Sequence, residues 1–437
     1  MRTLTVWLND KPVGTLSEGQ DLWRFAYDAQ WAQAPDSFDL APGLSRAERL
    51  HQDGGTLRPV QWYFDNLLPE ETLRETVTKE AGIKGDDAFA LLEYLGAESA
   101  GSLVLLPPGE KAPAQGGLQA LFDPQLSQRI RNLPRASLSS GAPKRMSVAG
   151  AQHKLLVVYR NHALFEPVGA APSTHILKPN HTSDDYPSSV INEYLILRLA
   201  DKLGLLAPAV YRRYVPEPVY LIARFDRYAD ESGRTQRRHI IDACQLLNKP
   251  RGFKNRSATL QTLSECVEKC RNRASARLRL YRWLMFNLLI GNDDNHLKNI
   301  SFMVSAEGID LSPHYDMLST SVYRTVAFAD QRATWPEVEM MIALPGATHF
   351  SQVTRESLLR AGGALGLPLR TSERELDRML EALPVALAGL AQEIEHQNKE
   401  YPEKVRVFLE GELRVVHAIQ HIVVRYMLQR LALNWPP

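Results

Sequence analysis

The spacing of apolar residues changes part-way along the chain, and that change limits the fold more than any other feature. Up to about residue 225 the apolar residues come in strand-length runs. Leu4, Val6 and Leu8 alternate with differently facing neighbours, Asn9-Asp10 marks a turn, and Val13 to Leu16 returns, which predicts a β-hairpin. Residues 103–106, 154–159, 174–178 and 219–225 read as further strands. Within this half, 62–68 predicts an aromatic helix or turn ahead of Pro69, and 188–203 predicts a helix stopped by Gly204. Beyond about 255 the spacing turns helical, over 278–290, 373–383 and 412–433. In the second of these, Leu376, Met379, Leu380 and Leu383 share one face, and the helix is expected to stop short of Pro384. Strands followed by helices imply a segregated α+β architecture rather than a doubly wound sheet.

Breaks in the pattern suggest the divisions. The Pro- and Gly-rich stretch 107–117 is the clearest linker, and a second loop-like stretch, 137–144, precedes the most informative region. Boundaries after 106 and 226 give three parts: 1–106, 107–226 and 227–437.

With 437 residues, 44% hydrophobic and 23% charged, the chain can bury more than one core. Its 51 basic and 50 acidic residues give a net charge of +1. That balance argues against a bulk nucleic-acid coat or a polybasic membrane anchor. Cys244, Cys266 and Cys270 are too few for a disulfide framework, and reduced thiols in the cytoplasm are expected. The opening MRTLTVWLND has no secretory pattern, and the longest apolar run, 284–290, is interrupted by Asn287. It falls far short of the ~20 residues that cross a bilayer, so no membrane association is expected.

The chemistry concentrates after that run, in GNDDNHLKN. Asp294 and Asn299 are five apart, the interval of the catalytic loop of protein kinases. There the acid accepts the proton of the substrate hydroxyl, the amide oxygen holds Mg²⁺, and a cation such as Lys298 can neutralise the transferring phosphoryl group. The interval alone equally describes a polar turn after an apolar helix. Asp293 is a rival base. Asp316, in PHYDM, could be the second metal acid, although no Phe-Gly follows it. Upstream, Lys178 ends an apolar strand and Glu193 follows on a helix, where the two could pair. The small residues of 147–154 suit backbone approach to phosphates, but match neither standard glycine fingerprint.

Taken in order, Ser-Val-Ala-Gly-Ala-Gln-His-Lys at 147–154, Thr-His-Ile-Leu-Lys at 174–178, Asn-Glu-Tyr at 192–194, Arg-Phe-Asp-Arg at 224–227, and Asp294 to Asn299 with Tyr315-Asp316 resemble the HipA family of bacterial toxin serine/threonine kinases. Phe-Asp-Asn-Leu-Leu-Pro-Glu at 64–70 is similar to that family's amino-terminal motif. The resemblance covers nearly the whole chain. It implies a protein-kinase-like two-lobed fold with a small β-rich amino-terminal subdomain and an all-helical carboxyl lobe.

The resemblance also implies roles. Asp294 would be the catalytic base, with Lys298 beside it. Asn299 and Asp316 would hold Mg²⁺. Ala149, Gly150, Ala151, Gln152, His153 and Lys154 would form the phosphate loop, and Lys178 would reach the ATP phosphates. Ala223, Arg224 and Phe225 would be the hinge beside adenine. Gln245, His296, Leu297 and Tyr315 would also lie near the nucleotide. Ser147 would be the autophosphorylated serine, where a phosphate of about −1.5 to −2 charge beside the loop would switch the kinase off. The implied target is an aminoacyl-tRNA synthetase, glutamyl-tRNA synthetase in the family, with growth arrest and antibiotic tolerance as the outcome. The implied partner is a HipB-type helix-turn-helix antitoxin that represses its own operator.

Two departures matter. Some members carry a lysine-rich DNA-contacting loop after the metal acid, whereas 340–350 here has no Lys or Arg, so operator DNA is expected to be reached mainly through the antitoxin. Ala223 stands where some members have Glu. The basic run of Lys269, Arg271, Arg273, Arg277, Arg279 and Arg282 reads as a solvated helix face, and His417 and His421 lack a third metal ligand. The alternative to an active kinase is a catalytically weak scaffold acting as co-repressor with the antitoxin.

Overall fold

The structure, a computed structural model, describes residues 1–84, 87–99, 101–110, 116–144, 146, 150 and 152–431. Contacts divide the chain into two compact units, each assembled from three stretches. The first holds Met1–Lys178, Leu221–Phe253 and Ser301–Ser312; the second holds Pro179–Tyr220, Lys254–Ile300 and Pro313–Pro437.

The first unit opens with the expected hairpin, β1 (Arg2–Leu8) against β2 (Lys11–Gly19), and Leu4 lies opposite Leu16. With β3 (Leu22–Tyr27), β4 (Leu50–Gln52) and β5 (Leu103–Leu106) they make an antiparallel sheet in the order β4-β3-β2-β1-β5. Leu4, Val6, Leu16 and Phe25 are fully buried, as alternation requires of a sheet with one covered face. Gly14 is needed there, because a Cβ would sit 2.4 Å from the Ala26 carbonyl oxygen. The aromatic segment becomes a helix, Pro59–Asp65, and Glu71–Ala81 follows it. A second antiparallel set joins β6 (Gly116–Ala120) to β8 (Ala163–Gly169), β8 to β7 (Leu155–Arg160), and β7 to β9 (His175–Pro179). A third pairs His239–Asp242 with Ser301–Ser305, and that strand with Gly308–Leu311.

The second unit is mainly helical and carries a hairpin, Glu339–Leu344 against Ala347–His349, in the stretch that lacks Lys and Arg. Its longest helix, Leu369–Glu400, corrects the expected stop before Pro384. Proline removes one hydrogen bond and costs about 3 kcal/mol inside a helix. Here Leu376, Leu383, Leu387, Leu390 and Ile394 stay buried on one stripe across it, and that burial outweighs the loss. The last helical run is interrupted by a π-helical turn, Ile419–Val424, between Arg406–Ala418 and Arg425–Leu431.

A buried ion pair holds this unit's helices. Arg212 Nη1 donates to Glu412 Oε2 at 2.7 Å, Nη2 donates to Asn398 Oδ1 at 2.9 Å, and the Tyr214 hydroxyl donates to the same Glu412 oxygen at 2.7 Å. The guanidinium lies 5.5–5.6 Å from the ring centres of Tyr194, Tyr214 and Tyr401. The basic run is also spent locally: Arg273 and Arg277 pair with Glu268, and Arg282 with Glu375. His417 lies 2.9 Å from Glu395, and no metal-ready group of three ligands occurs among the described residues. No described helix is long and apolar enough to cross a membrane, and the three cysteines are buried and form no disulfide.

Two buried histidines set an acid limit. In the first unit His239 Nε2 donates to the Leu40 carbonyl at 2.8 Å, so Nδ1 accepts from Ser102 Oγ at 2.7 Å. In the second, His314 stacks on Trp283. Burial pushes their pKa values down to about 4 and about 3, from 6.5. Both fold as neutral rings. The stability that neutrality confers is complete above pH 6.5 and is lost as pH falls toward 4, on the order of 3 kcal/mol each at pH 4. Thermal melts at pH 7, 5.5 and 4 should show a falling midpoint; a flat profile would contradict this.

Candidate active site

The second unit holds the residues expected to carry phosphotransfer. The helix Arg273–Leu289 is capped at its start by Asn272, which accepts from the Ser275 N–H at 3.0 Å. It ends at Gly291, whose φ of +67° suits glycine, and where a Cβ would meet Val423 at 2.7 Å. The chain then turns through the polar segment. Asn292 Oδ1 accepts from the Asp294 N–H at 3.0 Å, while its Nδ2 donates to the buried Asn287 at 2.6 Å.

The rival acids face different surroundings. Asp293 is half-buried, and its N–H donates to Thr320 Oγ1 at 2.7 Å. Burial raises its pKa, against the lowering effect of Thr320. Asp294 is exposed, as a base for an incoming hydroxyl must be. Asn299 Nδ2 donates to the Asp294 carbonyl at 2.9 Å, so Oδ1 is the end of the amide that could face a cation. His296, Leu297 and Lys298 are buried between them.

Asp316 is tied to this loop from the other side. The Tyr315 hydroxyl donates to the Lys298 carbonyl at 2.9 Å, and the Ser321 N–H donates to the Gly291 carbonyl at 2.9 Å. Asn192, from the helix Ser189–Lys202, clamps the same segment: its Nδ2 donates to the Ser319 carbonyl at 2.9 Å and its Oδ1 accepts from the Ser319 N–H at 2.8 Å. Asp316 itself has φ +55°, a left-handed backbone held by these ties. Burial raises the pKa of Tyr220 well above 10, with the charges of Glu193 and Asp316 adding to the effect. Asn299 and Asp316 offer oxygen donors, the type a hard divalent cation takes. Asn295 Oδ1 is buried and has no hydrogen-bond partner among the described residues.

The first unit carries the remaining predicted residues. Ser147, Ala149 and Ala151 lie outside the described residues. Gly150 has φ +104°, and a Cβ there would meet Lys154 Nζ at 2.7 Å, so the Lys154 ammonium lies against its backbone. Gln152 and His153 complete this stretch. Pro69 bridges to Gly150, and the Glu70 N–H donates to the Gly150 carbonyl at 3.2 Å. Lys178 is buried on β9. At the expected hinge, Ala223 ends the strand Pro218–Ala223, and the Arg224 N–H donates to the Thr174 carbonyl at 2.9 Å ahead of Phe225. The Arg224 side chain is spent on Asp226, at 2.7 Å. Gln245 has both ends of its amide committed to the fold: Oε1 accepts from the Asp242 N–H and Nε2 donates to the Tyr63 carbonyl, both at 2.9 Å.

An exposed acid, an amide and a second acid on one hydrogen-bonded frame are the parts of a kinase-type phosphotransferase. Comparison with known proteins gives the same class: the chain is a serine/threonine protein kinase. Residues 146–387 match the model of the HipA-like C-terminal domain, and 4–106 match that of the HipA N-terminal domain. The chain belongs to the HipA family. It is 34% identical to the putative kinase Y4mE of Sinorhizobium fredii over 338 residues, 74% of this chain and 78% of that one. It is 29% identical to the serine/threonine-protein kinase toxin HipA of Shewanella oneidensis over 410 residues, 88% of each chain. The solved complex of Shewanella oneidensis HipA with HipB and operator DNA contains a chain of the same fold. Its TM-score is 0.76 at 25% identity, with 98% of this chain and 99% of that chain covered.

Proposed function

We propose that this kinase uses ATP and Mg²⁺ and acts in the cytoplasm as the toxin of a toxin–antitoxin module. The observation that carries the catalytic part is the frame of Asp294, Asn299 and Asp316, with Asp294 exposed and Asp293 turned inward. Asn299 and Asp316 would hold Mg²⁺, which supplies charge neutralisation at the β- and γ-phosphates. The acceptor serine oxygen attacks the γ-phosphorus, its proton passes to Asp294, and the bond to the ADP oxygen breaks. Lys298 lies between the base and Asn299 and offsets charge on the transferring group. Lys154 and Lys178 are the cations proposed for the phosphates.

The protein substrate proposed is an aminoacyl-tRNA synthetase, and the partner proposed is a HipB-type antitoxin, as in the similar complex. The hairpin at 340–350 carries no Lys or Arg, which supports operator contact mainly through that partner. Growth on induction, wild type against Asp294→Ala, with phosphoproteomics, tests the reading. Toxicity and a new synthetase phosphosite from the wild type alone are expected. Equal toxicity would defeat it, and two harmless proteins with no phosphorylated target would favour a co-repressor scaffold. Autophosphorylation at Ser147 is expected when the purified protein is incubated with ATP. Mapping that finds Ser147 unmodified in an active preparation would remove this form of self-inactivation.

A further inference from the structure

The amino-terminal family domain contributes a carboxylate to which no role is assigned, and its surroundings are specific. Glu98 has no exposed surface. Its Oε2 accepts from Lys144 Nζ at 2.9 Å. Its Oε1 accepts from the Ser173 N–H at 3.0 Å, from Ser173 Oγ at 2.6 Å and from Arg227 Nη2 at 3.2 Å. Arg224 lies 3.6 Å away and Arg237 3.9 Å. Burial alone would raise the Glu98 carboxyl, but Lys144, Arg227, Arg237 and Arg224 outweigh it and hold it well below the usual carboxylate range. Asp226 is the second acid of this cluster, 2.7 Å from both Arg224 and Arg227.

What matters is where these partners stand in the chain. Lys144 is three residues before Ser147, at the entry to 147–154, and it also donates to the Ala171 carbonyl at 3.2 Å. Ser173 is two residues before β9, the strand of Lys178. Arg224 and Arg227 flank Phe225 at the expected hinge, and Arg227 Nε donates to the Ser173 carbonyl at 3.1 Å. One carboxylate therefore fixes the approach to each of three nucleotide-site segments. The bond from the Glu70 N–H to the Gly150 carbonyl adds a second tether from the same domain.

We infer that Glu98 is a positioning residue: through Lys144, Ser173 and Arg227 the amino-terminal domain anchors the residue that leads into the phosphate loop, the start of the Lys178 strand and the hinge. The inference rests on the ATP-site reading above. A buried carboxylate bonded at both oxygens is held in one orientation, because turning away from any partner leaves a desolvated hydrogen-bonding group unmatched. Displacing groups that hold the nucleotide equally in the ground and transition states raises KM and leaves kcat unchanged.

Lys144→Met in the full chain tests this. It cuts the arm to the phosphate loop and leaves Glu98 with its arginines. Amide exchange over 146–154 should become about tenfold faster, KM for ATP should rise about tenfold, and kcat should stay within about threefold. Ser173→Ala removes the hydroxyl that donates to Glu98 and accepts from Arg224 Nη1 at 3.1 Å, keeps the Ser173 N–H bond, and should speed exchange over 175–179, which keeps the test open if Lys144→Met folds poorly. Unchanged exchange in both folded variants, or a loss confined to kcat or to the melting temperature, would overturn the inference. Faster exchange in a protein whose wild type binds no ATP would support the clamp and defeat the ATP reading instead.

Discussion

Asp294→Asn should lower phosphotransfer by ~10²–10⁴-fold while leaving ATP affinity nearly unchanged. The side chain is exposed, its backbone is fixed by Asn292 and Asn299, and the substitution puts an amide of the same shape where the proposed proton acceptor stands. Asp293→Asn should cost no more than several-fold. Burial already favours the neutral form of that carboxyl, and an amide can keep the contact to Thr320. Single-turnover transfer from labelled ATP, together with nucleotide binding, separates the two. A larger loss at Asp293 would reassign the base.

Glu412→Ala should destabilise the second unit by about 3–5 kcal/mol, the cost of leaving a buried partner charge alone. For a unit of this size that is roughly 10 °C in melting temperature. Arg212 would keep its three aromatic neighbours but lose the only carboxylate within salt-bridge distance of it among the described residues. The double variant Arg212→Met with Glu412→Leu should recover most of the loss, since replacing both charges by apolar groups of similar size removes the desolvation penalty. Calorimetry on the single and double variants decides, and a single variant as stable as the wild type would show the pair to be idle.

The sequence made some of this legible and hid the rest for physical reasons. The hairpin of β1 and β2, the helix leading to Gly291 and the Asp294–Asn299 interval are local patterns, and local periodicity or spacing reveals them. Pro384 misled because the rule against proline weighs one lost hydrogen bond, whereas a long buried stripe on both sides decides the outcome. Asp293 and Asp294 were separable only by register, until the fold showed one turned toward Thr320 and the other exposed. Glu98 stands in an unremarkable Gly-Ala-Glu-Ser stretch, and its partners are 46, 75 and 129 residues away. Asn192 meets Ser319 across 127 residues. No spacing rule reaches such pairs. The Asn-Glu-Tyr motif was visible, but the backbone clamp made by its first residue was not.

The interleaving of the two units bears on how the chain is made. The strand Ser301–Ser305 is the middle member of its sheet, so His239–Asp242 stays an open edge until that strand has been synthesised. At roughly 5–20 residues per second, the wait from residue 253 lasts several seconds. The proposed catalytic loop precedes Ser301, so a ribosome cannot deliver a finished first unit without having already delivered Asp294 and Asn299. A fragment that ends before residue 301 would expose an unpaired strand edge and should aggregate rather than persist as a separate nucleotide-binding domain.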